Sequence, residues 1–352
     1  MKMLIKNAVL NGKTSDILIK NGKIEKIGKI SGDGFDAGGL EIMPGLVDIH
    51  AHGFMGADTM DGDLKTISHA LADCGTTTWY PTTMTESDER IMCACNADTN
   101  TGGANILGFH MEGPYISKKY KGAQNEKYIK LPSLEHFKKF KNIKLVTIAP
   151  ELDGAMEFIK NCGCVVCLGH SNASYNDGVT ATRSGAKCLT HTFNAMPPFH
   201  HREPSLIGAA ITEDMYVQVI TDGLHLHRAA VLALYRIFGA DRMIIISDSM
   251  RASHLCGGEY EFGGQQITVK NGIAKTKDGT IAGSTSSLMD CVKTAVKMGI
   301  PKNDAMKMAT ETPSTLMSIN KGKITVGYDA DILLCDSDLN VKKVMINGEF
   351  FR

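Results

Sequence analysis

One pattern constrains this chain more than any other. Eight short apolar runs, each closing on polar or ionisable residues, recur along its middle: GLVDIHAH (45–52), TTTWYPT (76–82), NILGFHME (105–112), KLVTIAPE (144–151), CVVCLGHS (164–171), KCLTHTFN (187–194), YVQVITDG (216–223) and MIIISDS (243–249). Helix-period segments lie between them. LKTISHALADCG follows Asp63 and stops at Gly75, and SDERIMCACNADTN opens on Ser87, a good N-cap. PSLEHFKKFK opens on Pro132, while GAMEFIKNCG and HRAAVLALYRIFG each close on glycine. Strand–helix alternation repeated eight times predicts an α/β fold, a (β/α)8 TIM-like barrel. A doubly wound open sheet is the competing topology. Ionisable residues at the ends of several different strands favour the barrel, where eight C-terminal ends converge on one mouth.

The two ends of the chain read differently. MLIKNAVLNG and DILIKNGKIEKIG carry apolar runs closed by Asn-Gly, a hairpin signal, and the last stretch, KITVGYDADILLCDSDLNVKKVMINGEFF, ends on the same pair at Asn347–Gly348. Each end alone has too few strands to bury a face, so the expectation is one small β-sandwich built from both termini. This divides the chain into residues 1–43, a barrel over 44–320, and residues 321–352. EYEFGGQQITVKNGIAKTKDGTIAG (259–283) reads as β-hairpins, an insertion near 255–283 that could join the terminal β module. SSLMDCVKTAVKMG and PKNDAMKMATETPSTLMSI then close the barrel as helices.

Composition excludes several classes of function. The 352 residues carry 38 Lys+Arg against 38 Asp+Glu, so no basic excess exists to neutralise nucleic-acid phosphates. No run of about 18 apolar residues is present to span a membrane. The start, MKMLIKNAVLNGK, is interrupted by Lys and Asn too early for a signal peptide. The ten cysteines are therefore read as reduced thiols of a cytoplasmic protein.

The strand ends carry the chemistry. His50 and His52 lie two apart on the first strand and so point to one side. Glu112 ends the third strand, His170 the fifth, His191 the sixth and Asp248 the eighth. Four imidazoles and two carboxylates facing one mouth suit a divalent metal, zinc or iron. A lone histidine is ordinarily a satisfied polar group, and His69, His136 and His254 are read that way. The run CGCVVC (162–167) holds a CxxC at Cys164 and Cys167, but no second CxxC pairs with it, and alternating strand residues explain it better. Metal-dependent hydrolysis also needs a group that takes a proton from water and hands it to the leaving group. Asp248 fits that role, with a ligand or a structural acid as the alternatives.

The motifs MPGLVDIHAHG, HMEGPYIS, GHSNA, THTFNAMPPFHHREP, TDGLHLH, SDSMRA and TIAGSTSSL, in this order, resemble the N-acetylglucosamine-6-phosphate deacetylases of the amidohydrolase superfamily. The resemblance runs over nearly the whole chain. It implies hydrolysis of N-acetyl-D-glucosamine 6-phosphate to D-glucosamine 6-phosphate and acetate. It further implies that Glu112, His170 and His191 bind the catalytic metal, that His50 and His52 form a second metal pair, and that one or two ions are held per subunit. Asp248 would act as base and then acid. Asn194 and Ala195 would meet the sugar-phosphate end, Arg202 and His225 the phosphate, and Ala123 with Ile281, Ala282 and Gly283 the sugar and acetyl pocket. Arg202 could reach a neighbouring subunit's site in a homodimer. Arg202 stands beside His200 and His201, a donor cluster suited to an anion. Many members of the family carry a histidine where this chain has Gln124, and the resemblance gives that histidine the task of orienting or polarising the substrate's amide carbonyl. Glutamine can donate a hydrogen bond but cannot become charged, so either Gln124 binds the substrate carbonyl in weaker form or the second ion polarises it. Other readings stay open. N-acetylgalactosamine 6-phosphate differs from the implied substrate at one hydroxyl, and a D-aminoacylase-like enzyme would share the fold. A dihydroorotase-like amidase would need a carbamylated lysine at the end of strand four, where this chain reads IAPE (148–151). A non-catalytic scaffold would have lost mouth ligands, and all six residues are present.

Overall fold

The computed structural model describes residues 2–352. Its centre is a ring of parallel strands: β1 (Leu46–Ala51), β2 (Thr76–Thr83), β3 (Phe109–Glu112), β4 (Ile143–Ile148), β5 (Val165–Leu168), β6 (Cys188–Leu189), β7 (Tyr216–Ile220) and β8 (Met243–Ile246). Each pairs with the next, from Val47 opposite Thr78 round to Val219 opposite Ile245. The ring closes just beyond the strands, where Ala51 bridges Ser249 and the Asp248 amide donates to the His50 carbonyl at 2.9 Å. Strands covered on both faces are built mostly from apolar or uncharged β-forming residues, which is what makes them legible as strands in the sequence.

The helices follow their end signals. Asp63 and Ser87 accept from the amides of Thr66 and Arg90, starting helices Leu64–Asp73 and Asp88–Cys95. Ser287 and Asp290 form a reciprocal capping box that opens Leu288–Met298. PSLEHFKKFK is helical for a single turn only, Leu134–Phe137. Two helices, Tyr175–Ser184 and Ser205–Thr212, were not foreseen. The first contains Gly178, Thr180 and Thr182, weak helix formers, and is held instead by a Ser174–Asp177 capping box. The second, SLIGAAIT, is buried nearly all round and so has no polar face to give a period.

Both termini enter one eight-stranded sheet. Its order is 349–350, 341–346, 332–335, 41–44, 2–10, 13–20 and 23–28, with 35–36 also paired to 2–10. The sheet folds over its own core, in which Ile5, Ile17, Ile19, Ile42, Ile332 and Leu334 pack together. Phe350, on the edge strand, and Phe35, on the short strand beside 2–10, meet with ring centroids 4.7 Å apart. Its hairpins turn at Asn11–Gly12, Asn21–Gly22 and Asn347–Gly348, all with positive φ at both residues. That is the twist-matching turn such pairs favour. A buried ion pair, Lys321 to Asp331 at 2.6 Å, and a bond from Asn105 to Asp331 at 3.2 Å tie this sheet to the barrel.

The hairpins of the insertion do not join that module. Gly258–Phe262, Gln265–Lys270 and Ile273–Thr276 form a separate antiparallel sheet. It reaches toward the barrel mouth, where Gln265 donates to the Ala123 carbonyl at 2.6 Å and the Phe262 ring lies 5.2 Å from that of His52. The expected join to the terminal sheet is not made: the three strands pair among themselves, and their contacts with Ala123 and His52 hold them at the mouth.

Candidate active site

The structure brings all six strand-end residues into one cluster. Glu112 stands at its centre. Its Oε1 lies 3.3 Å from His50 Nε2, 3.2 Å from His170 Nε2 and 3.1 Å from His191 Nε2. Its Oε2 lies 3.3 Å from His52 Nε2. Asp248 places Oδ1 3.5 Å from His50 and 3.4 Å from His52. His170, His191 and Asp248 all have left-handed backbones, with φ of 46°, 26° and 47°. The chain leaves each of these strands by a sharp turn that His and Asp tolerate better than most residues, and such strain clusters at functional sites.

Three of the four imidazoles are held from behind. His50 Nδ1 faces Gln218 Oε1 at 3.1 Å, His52 Nδ1 the Thr82 carbonyl at 3.2 Å, and His170 Nδ1 the Tyr120 carbonyl at 2.9 Å. With the proton on Nδ1 in each, the Nε2 lone pairs point inward, as in metal sites. His191 Nδ1 is buried and has no hydrogen-bond partner among the described residues. Nε2 of His50 and His52 approach to 3.2 Å, and those of His170 and His191 to 3.0 Å. Lone pairs that close repel unless a cation or a shared proton lies between them.

Electrostatics point the same way. Burial disfavours charge on every group, yet the imidazoles of His50 and His170 hold Glu112 well below the ordinary carboxylate range. His50 and His52 likewise lower Asp248 against its burial. Against the same burial, Glu112 and Asp248 raise His50, and hydrogen bonds to Asp248 and Glu112 raise His52 to about 10. Two ionised carboxylates thus call for positive charge among the imidazoles, which a divalent ion supplies. Among the described residues, two buried groups could hold one: His50, His52 and Glu112, and Glu112, His170 and His191. The residues present fit a metal.

Several members of the site escaped the sequence reading. Gln218 is the one polar residue in YVQVI, and that break in an apolar strand was its signal. His110 lies beneath the cluster with its ring centroid 4.5 Å from that of His50. It bonds to the Ile49 carbonyl at 3.0 Å and Thr147 at 2.8 Å, and burial keeps its pKa well below the usual imidazole range, so it is neutral. Asp222 carries His225, accepting from its Nδ1 at 2.8 Å and its amide at 2.9 Å. That hydrogen bond outweighs burial and raises the His225 pKa. His69, His136 and His254 are satisfied by the Thr101 carbonyl, Asp88 and Asp290, away from the cluster.

A cavity of about 540 Å³ opens over the cluster. Ala123, Gln124, Asn194 and Ala195 line it, as do His225, Ile281 and Gly283. Lys119 and Lys121 stand at it as well, and the KKYK run (118–121) was their unread signal. Two expected residues are not at this cavity. Ala282 is fully buried, its amide donating to the Ala274 carbonyl at 3.1 Å, so it does not line the pocket as the resemblance implied. Arg202 is exposed, its guanidinium 2.8 Å from His201, and does not reach the pocket of its own chain. Gln124 lines the cavity with both ends of its amide engaged: Nε2 donates to Glu112 Oε2 at 2.5 Å and Oε1 accepts from the Thr85 amide at 2.7 Å.

Residues 42–351 match the amidohydrolase family. The N-acetylglucosamine-6-phosphate deacetylase of Bacillus subtilis (strain 168) is 37% identical over 330 residues, covering 87% of this chain and 83% of that protein. The N-acetylgalactosamine-6-phosphate deacetylase of Escherichia coli O157:H7 is 30% identical over 88% of this chain and 87% of its own. The crystal structure of N-acetylglucosamine-6-phosphate deacetylase from Thermotoga maritima superposes with a TM-score of 0.92 at 32% identity, over 99% of both chains. With its closed parallel barrel, its two-ended β module and its Glu112-centred cluster, the chain belongs to the amidohydrolase family, among the N-acetylglucosamine-6-phosphate deacetylases.

Proposed function

We propose that this chain hydrolyses the acetamide of N-acetyl-D-glucosamine 6-phosphate, giving D-glucosamine 6-phosphate and acetate, in cytoplasmic amino-sugar catabolism. The observation that carries the reading is a single cavity that presents both the Glu112 cluster with Asp248 and the Asp222-supported His225. The relatives supply the identity of the sugar.

Glu112, His170 and His191 would hold the catalytic ion and His50 with His52 a second, zinc or iron, whose chemistry is to acidify a water and polarise a carbonyl. The chain's own groups do the rest. Asp248 accepts the proton of the attacking water and returns it to the nitrogen as the C–N bond breaks. Its backbone is pinned on both sides, the amide on the His50 carbonyl and the carbonyl on the Ser284 amide at 2.7 Å. His225, biased toward its cation by Asp222, meets the phosphate. Arg202, outside its own cavity, serves the cavity of a second subunit in a homodimer; Phe199, three residues away, is 49% exposed and offers apolar area for that contact.

Acetate release from the two 6-phosphorylated N-acetyl sugars and from unphosphorylated N-acetylglucosamine tests this reading. The glucosamine epimer should be preferred, and the free sugar should be far poorer, since each lost charged hydrogen bond costs about 1.5–3 kcal/mol. Arg202→Ala should lower kcat/KM for the phosphorylated sugar and barely change it for the free one. Equal losses for both would make Arg202 structural.

Gln124 takes a different part from a donor to the substrate carbonyl. Of its two N–H donors one is held by Glu112 Oε2 and the other faces Met84 Sδ at 3.7 Å, so we read it as the group that orients that carboxylate. Gln124→Leu should then weaken metal affinity about 10–100-fold, the usual cost of losing a supporting hydrogen bond. Chelator competition measures it. A fall in kcat with metal affinity intact would return Gln124 to the substrate.

A further inference from the structure

At the opposite end of the barrel from the Glu112 cluster, two thiols meet. The helix Ala155–Asn161 ends on Cys162, and β5 begins one residue after Cys164. Between them Gly163 is exposed with φ of 75°, and a Cβ there would meet nothing within 4 Å. This left-handed glycine turns the chain so that Cys164 Sγ donates to Cys162 Sγ at 3.7 Å. Both residues are half-buried and therefore reachable from solvent. Beside them a cavity of about 650 Å³ is lined by Gly163, Cys164, Lys144 and Lys187. The other internal cysteines of this strand region, Cys167 and Cys188, are fully buried.

We propose that Cys162 and Cys164 form a thiol–disulfide exchange site, a redox modification site on the floor of the barrel, which takes low-molecular-weight disulfides bearing carboxylates. The Cys162 thiolate attacks one sulfur of the small disulfide, making a mixed disulfide and releasing one thiolate. Cys164 then gives up its proton and attacks Cys162 Sγ, closing the Cys162–Cys164 disulfide and releasing the second thiolate. Two protein thiols are oxidised and one small disulfide is reduced to two thiols. The sulfurs need only close from 3.7 Å to the bond length of about 2 Å, within reach of side-chain rotation. The hydrogen bond from Cys164 favours the Cys162 thiolate and lowers its pKa to about 7, which places a nucleophile at neutral pH. Lys144 and Lys187 supply the charge that draws an anionic partner into the cavity.

The test is oxidised glutathione added to the full native chain, followed by acid quench, unfolding, alkylation of the remaining thiols and peptide mapping. The peptide spanning residues 161–183 should lose the mass of two hydrogen atoms and keep one alkylatable thiol, that of Cys167. The exposed Cys93 and Cys256 should carry glutathione instead, which shows that the reagent reached the protein. Cys164→Ser should trap glutathione on Cys162, since no second thiol remains to displace it. A stable mixed disulfide at Cys162 in the parent chain would overturn the proposal. So would thiols that stay free at 162 and 164 while Cys93 and Cys256 react.

Discussion

Asp248→Asn should lower kcat by about 10²–10⁴-fold while leaving the metal content of the protein near that of the parent. Asparagine keeps the size and one oxygen of the side chain but cannot accept a proton. The strand that delivers it is rigid: Ile244, Ile245 and Ile246 are fully buried, and the backbone at 248 is fixed on both neighbours. The substitution therefore changes chemistry rather than position. Asp248 sits 3.4–3.5 Å from His50 and His52 and belongs to neither of the two groups able to hold an ion among the described residues. Glu112, His170 and His191 do not depend on it for their mutual geometry. The ionised state of Asp248, favoured by the two imidazoles, is the one a base needs. Metal per subunit measured beside kcat decides the matter. An inactive protein with its metal intact is the expected result; joint loss of metal and activity would make Asp248 a ligand, and an active variant would remove it from the reaction.

The placement of Asp248 could be read from sequence because barrel strands announce themselves. MIIISD and CVVCLGH are apolar runs ending in an ionisable residue, GLVDIHAH is one interrupted by Asp48, and convergence of strand ends is a property of the fold, not of the individual residue. The Asn-Gly pairs of the two termini were equally legible, since few residues other than asparagine and glycine accept two successive positive φ values. What stayed hidden depends on distance in sequence. Nothing in YVQVI says that Gln218 will meet His50, 168 positions earlier. Tyr120 supports His170 through a backbone carbonyl, which leaves no mark on residue choice. The insertion was legible as hairpins but not in its destination, because a two-residue turn fixes register and says nothing of where the sheet lies. Helix 205–212 was missed because burial on all sides erases the period on which such a reading depends.

The centre of the cluster gives the second large effect. Glu112→Gln should cost the protein its metal together with most of its activity. The side chain is the one carboxylate common to both possible ligand groups, with one oxygen toward His170, His191 and His50 and the other toward His52. Glutamine is nearly isosteric, so the barrel should fold. The change removes a negative charge from among four imidazoles and puts an N–H donor where an acceptor stood. If the amide oxygen keeps the position of Oε1, its nitrogen faces His52 and the donor of Gln124, and that pair of donors cannot bond. If the amide flips, the nitrogen faces His170 and His191 instead. Either way one ligand group loses its anion. The loss of metal affinity should exceed the 10–100-fold typical of removing a supporting hydrogen bond alone. Two measurements separate this from a folding defect: metal per subunit after dialysis, and the thermal unfolding midpoint of parent and variant with metal stripped from both. The expected variant is folded, poor in metal and nearly inactive. Full metal content with normal turnover would show that His50, His52, His170 and His191 hold the ion without Glu112, and would displace this carboxylate from the centre of the site.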